Sequence, residues 1–102
     1  MPYFVILANK ITDEQRDQIH AAVKEHAAGW WHHFLDSWIA GGHTAQFWRD
    51  TLKPAVVKGP ASIVVLQLAE PAKWATFGPT KHAEWLYTNL SHEKPPAKGG
   101  DL

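Results

Sequence analysis

Trp30-Trp31-His32-His33-Phe34-Leu35-Asp36-Ser37-Trp38-Ile39-Ala40-Gly41-Gly42 holds two short runs of bulky side chains divided at Asp36. Runs of this length and composition, bounded by turn-forming residues, predict a β-hairpin, here closed by the two glycines. The turn lacks the Asn-Gly pair that two-residue hairpins favour, so its limits are set only to within a residue or two. The segments flanking the hairpin decide the fold.

Upstream, Tyr3-Phe4-Val5-Ile6-Leu7-Ala8 is apolar on both phases of a two-residue alternation, which reads as a strand covered on both faces, ending at Asn9-Lys10. Thr12-Asp13-Glu14-Gln15 then has the form of a capping box, with Ile11 placed for a hydrophobic staple. The helix it opens, over about 13–28, carries Ile19, Ala22, Val23 and Ala27 on one stripe and stops at Gly29. Downstream, Thr44 caps a second helix with Phe47, Trp48 and Leu52 inward, expected to end near Lys53 because Pro54 forbids simple continuation. Ile63-Val64-Val65-Leu66 lies within a fourth apolar strand, which belongs beside the first in the centre of the sheet. Glu70-Pro71 is placed to begin one helical turn reaching Trp74, and Ala83, Leu86, Tyr87 and Leu90 mark a last helix over about 80–90.

Strand, helix, strand, strand, helix, strand is the split βαβ order. Right-handed crossovers fold it into a four-stranded antiparallel sheet with two helices on one face. The fold class expected is therefore α+β, a ferredoxin-like βαββαβ sandwich with an added C-terminal helix. Residues 1–91 are expected to form one domain, followed by a flexible tail over 92–102 that is rich in Pro, Gly and Lys. The opposite sheet face should carry Tyr3, Val5, Leu7, Ile63, Val65 and a hairpin tryptophan. At about 25 cal/mol per Å² of apolar area, such a surface is too costly to leave wet. Either the C-terminal helix or a second copy of the chain must cover it.

Composition narrows the chemistry. Ten Lys and Arg balance ten Asp and Glu over 102 residues, which gives nucleic-acid binding no electrostatic support. The absence of cysteine removes disulfides, thiolate metal sites and thiol nucleophiles, and fits a reducing compartment. No run approaches the roughly 18 apolar residues that span a bilayer, and no signal-peptide pattern opens the chain, so a cytoplasmic location is expected. Six tryptophans call for a packed core or an interface.

Seven histidines invite a metal reading, with His32, His33 and Asp36 as the candidates. Adjacent strand residues point to opposite faces, however, and no His-Glu-x-x-His pattern is present. Surface or hydrogen-bonded histidine is the favoured reading, and His32 is placed to join a sheet-face interface. Asp36 beside His33 is the nearest approach to a catalytic pair, although a turn Asp usually bonds its own backbone. No cofactor site, phosphate loop or nucleophile elbow is found. A stacking platform for single-stranded bases at Trp30, Trp31 or Trp38 would lack basic neighbours, since no Arg or Lys occurs between Trp30 and Arg49.

Taken together, Tyr3 to Asn9, the run from Trp31 to Ile39, and Ile63-Val64-Val65-Leu66 followed by Trp74 resemble the SinR-like and VapD-like relatives of the CRISPR-associated protein Cas-two, over about residues 3 to 78. The resemblance implies a ferredoxin-like fold and a homodimer joined through the sheet face. Some members of that group are metal-dependent nucleases, and their acidic metal position at the end of the first strand falls here on Asn9. A neutral amide holds a hard divalent cation far more weakly than a carboxylate does. The expected function is a non-catalytic homodimeric protein-interaction module, of phage or mobile-element origin, with interface residues Tyr3, Val5, Leu7, Trp30, Trp31 and Trp38 and an unidentified protein partner. The alternatives are a metal-dependent endoribonuclease, with Asp36 or histidines replacing the lost carboxylate, and single-strand binding.

Overall fold

The computed structural model describes residues 1–90. Seven elements follow in the order β1 (Tyr3–Asn9), α1 (Asp13–His26), β2 (Trp30–Phe34), β3 (Ser37–Gly41), α2 (Ala45–Val56), β4 (Ser62–Gln67) and α3 (Thr80–Asn89). This is the α+β order expected, a ferredoxin-like βαββαβ arrangement with an additional helix. The four strands form one antiparallel sheet in the order β2-β3-β1-β4. The chain divides into two compact units, Met1–Gln67 and a second beginning at Leu68. The tail expected over 92–102 lies outside the described residues.

In the first unit, both long helices begin where local chemistry places them. The Thr12 hydroxyl accepts the Gln15 N–H at 3.1 Å, and the Thr12 N–H donates to the Gln15 side chain at 2.9 Å, closing the capping box. Thr44 repeats half of this arrangement, accepting the Phe47 N–H at 3.0 Å. α2 then runs to Val56 with Pro54 inside it, two residues beyond Pro54 and past the expected stop. Proline removes one hydrogen bond, and in a last turn that loss is small beside the packing of Ala55 and Val56 against the core.

The core lies between the sheet and these helices. Phe4 and Ile6 of β1, Trp38 and Ala40 of β3, Ile19 and Val23 of α1, and Trp48 and Leu52 of α2 are all 0% exposed. A fully buried side chain of this size contributes about 1.5–3 kcal/mol relative to leaving it in water. Register sorts the remaining strand residues. Ile6 opposes Val65 and Ala8 opposes Ile63, so Ile63 and Val65 share the helix-bearing face. Leu7 opposes Val64 and Val5 opposes Leu66 on the other face. The expectation for β4 is thereby corrected: Val64 and Leu66, not Ile63 and Val65, point away from the helices. β4 is also an edge strand rather than a central one.

The hairpin turns at Leu35-Asp36, and the β2–β3 register shifts between Trp31 and Phe34, breaking the regular ladder. Gly41 sits opposite Tyr3, where an added Cβ would lie 2.8 Å from the tyrosine ring and 2.9 Å from the Met1 sulfur. Gly42, at φ +90°, makes the left-handed step that leads the chain towards α2.

In the second unit, α3 buries Ala83 and Leu86, and the Leu90 N–H closes its end on the Leu86 carbonyl. Trp74 and Tyr87 meet edge to face, with ring centroids 5.0 Å apart. The helical turn expected over 70–74 is irregular chain instead. A single turn fixes several residues for one hydrogen bond, so it does not persist on its local signal alone.

Candidate functional site

A cluster of partnered polar groups lies where α1 faces the hairpin. Arg16 and His20 stand one turn apart on α1, beside the buried row of Ile19 and Val23. The Arg16 guanidinium donates from Nε to Asp36 Oδ1 at 2.7 Å and from Nη1 to Asp13 Oδ1 at 2.6 Å. Both carboxylates raise the Arg16 pKa, Asp36 more than Asp13. Asp36 also closes the turn onto β1, its backbone carbonyl accepting the Ala8 N–H at 2.9 Å. The Asp36 carboxylate is therefore held by α1 rather than by its own turn, which corrects the expectation from sequence.

One turn further along, the buried Trp38 indole N–H donates to His20 Nδ1 at 3.1 Å. The acceptor nitrogen must carry a lone pair, so neutral His20 keeps its proton on Nε2. His32 lies parallel to the Trp38 indole, with centroids 4.4 Å apart and planes 7° apart. Its Nδ1 donates to the Ser37 carbonyl at 2.9 Å. Trp30 meets His20 edge to face at 5.0 Å, and the two imidazoles, His20 and His32, are 4.9 Å apart. Burial lowers the His20 pKa first, the nearby charges of His32 and Lys24 lower it further, and Asp17 opposes them.

A second imidazole joint ties α1 to α2. His43, at φ +71°, donates from Nε2 to the His26 carbonyl at 2.9 Å. Its ring stacks on Phe47 with centroids 3.8 Å apart, and the buried Trp48 indole N–H donates to the Gly42 carbonyl at 2.9 Å. These contacts orient structural elements.

The candidate metal residues do not come together. His32 faces α1, whereas His33 packs edge to face on Trp31, with centroids 5.3 Å apart, on the other side of the sheet. Among the described residues no group of three or more His, Asp or Glu side chains is arranged to hold a metal ion. Asn9 ends β1 opposite Ser62 and is exposed.

The three hairpin tryptophans expected at an interface separate. Trp38 is 0% exposed under α1, so it is a core residue, and His32 stacks on it there rather than joining the opposite face. Trp30 opposes Ala40 on the same helix-bearing side. Trp31, opposing Ile39, belongs to the other face and is itself buried. The physical reason is alternation, which sends neighbouring strand residues to opposite sides. On that second face Tyr3 and Val5 are half-buried, while Leu7 is 40% exposed and Val64 and Leu66 are each 52% exposed.

No protein-family model matches the chain, and no curated protein matches it. No helix among the described residues is long and apolar enough to cross a membrane. Sequence reasoning missed Arg16 and His20. The available signal was the i, i+4 spacing of two polar residues flanking the buried stripe, together with the rule that a buried indole N–H finds an acceptor.

Proposed function

We propose that this protein is a non-catalytic homodimeric module that acts by binding another protein, with the sheet face turned away from α1 and α2 as its contact surface. The observation that carries the reading is the contiguous apolar patch of Leu7, Val64 and Leu66. Leu7 and Val64 are direct cross-strand partners, and Leu66 lies beside Val5 in the same sheet. Apolar side chains joined in this way mark protein contact surfaces. The polar residues that sequence singled out for chemistry support the same reading, because Asp36 and His32 are engaged in structural contacts. The resemblance to SinR-like and VapD-like relatives of Cas-two, and an origin in a phage or mobile element, belong to this proposal.

Light scattering coupled to size exclusion, run on the full chain across a concentration series, tests it. A dimer whose population rises with protein concentration is the expected result. A chain that remains monomeric at the highest concentration overturns the reading.

A further inference from the structure

The two edges of the sheet differ in how they are protected. β2 shifts register against β3 between Trp31 and Phe34, which interrupts a regular ladder. β4, at the other edge, reads Ser62-Ile63-Val64-Val65-Leu66-Gln67 and has neither charge, nor proline, nor register shift against β1. Among the described residues it pairs on one side only. A regular, uncharged edge with half-exposed apolar side chains is a template for a further strand.

We infer that β4 pairs antiparallel with β4 of a second copy, making one continuous eight-stranded sheet. The inference rests on the homodimer proposed above and names how its two copies join.

Symmetry and charge select this occupant. A two-fold axis normal to the sheet keeps each face on its own side, so directly opposed residues must share a face. Centring the axis on Val65 opposes Val65 to its own copy and Val64 to Leu66 in both directions. The two most exposed β4 side chains then become cross-strand partners, with Cβ atoms about 5 Å apart. No charge within Ser62–Gln67 opposes its own copy.

The helix side of the edge fits as well. A groove of about 220 Å³ runs beside β4, with Ile63 and Val65 as its floor and Ala45, Gln46 and Arg49 as its α2 wall. In the proposed pairing the Val65 side chain of the second copy enters at this groove. Arg49 is paired with Asp50 of its own helix at 2.9 Å, so the two α2 helices meet without net repulsion from these groups.

The cysteine-free chain permits a direct test. Val64→Cys and Leu66→Cys proteins are prepared singly, mixed, re-equilibrated and mildly oxidised. The expected product is a mixed disulfide-linked dimer, several-fold more abundant than the Val64→Cys homodimer. Val64→Lys and Leu66→Lys, each checked for a native circular dichroism spectrum, are expected to shift the wild-type dimer to monomer. If the wild type is a dimer but neither lysine variant weakens it and no mixed disulfide forms, edge pairing is wrong while the homodimer stands. If the wild type is monomeric, both proposals fall.

Discussion

The Trp38 indole N–H and His20 Nδ1 meet at 3.1 Å, joining the innermost strand of the hairpin to the middle of α1. Trp38 is fully buried, so its donor has no access to water, and its partner is an imidazole that can take up a proton. Protonating His20 turns the acceptor into a second donor. The contact is therefore lost in acid.

Stability should follow that proton. The His20 pKa in the folded chain lies below its ordinary value of 6.5. Between the folded and unfolded values the unfolded chain binds more proton, so stability rises with pH in that window. The contribution is complete above about pH 6.5 and is lost as pH falls towards the folded pKa. Urea midpoints measured from pH 7.5 down to pH 5 should fall in the wild type and fall less in His20→Gln, which retains a side-chain acceptor without titrating. Equal slopes in the two proteins would reject His20 as the group responsible.

Removing the acceptor outright isolates the indole. His20→Leu should lower the unfolding free energy by about 1–3 kcal/mol, the cost of leaving a buried donor unpaired. In His20→Leu/Trp38→Phe the combined loss should be smaller than the sum of the single losses, because no orphan donor remains. Strict additivity in a denaturant-based double-mutant cycle would contradict the hydrogen bond.

Arg16 bridges Asp13 and Asp36, and so ties the first turn of α1 to the hairpin turn. Arg16→Met should lower the melting temperature in dilute buffer. The gap from wild type should narrow in 1 M salt, because ion pairs that solvent reaches in part are screened there. A gap that does not respond to salt would assign the loss to packing of the Arg16 stem.

Gly41 leaves no room for a side chain beneath Tyr3. Gly41→Ala should destabilise by about 1–3 kcal/mol through overpacking, and Tyr3→Ala should relieve much of that loss in the double variant. Thermal melts of the four proteins measure it. Undiminished destabilisation in the double variant would place the clash elsewhere.

Asn9 gives the end of β1 no negative charge. Purified protein incubated with labelled RNA and Mg²⁺ or Mn²⁺ should show no cleavage above an Asn9→Ala control. Cleavage that the Asn9 change abolishes would replace the non-catalytic reading with a nuclease.

The parts of the fold governed by neighbours in sequence were legible in advance. Thr12 and Gln15 cap each other three residues apart, and Thr44 reaches Phe47 over the same distance, so short-range spacing was enough. The face of β4 was not legible, because Ile63, Val64, Val65 and Leu66 are all apolar and alternation carries no signal in such a run. Pairing with β1, more than fifty positions earlier, decides which of them turn towards α2. His20 was hidden for the same reason: its role comes from Trp38, eighteen positions away, and no local pattern announces it. Pro54 misled in the opposite direction, since a local rule gave way to the packing of the residues beyond it.

The strand order β2-β3-β1-β4 also bears on how the chain is made. Of the four strands β1 is made first, yet it sits between two that are translated later, and its second neighbour begins only at Ser62. At about 5–20 residues per second, the nascent Phe4 and Ile6 wait roughly 3–12 seconds before the sheet can close around them. During that interval the greasy segment stays open to other nascent chains, an exposure that arises from topology alone.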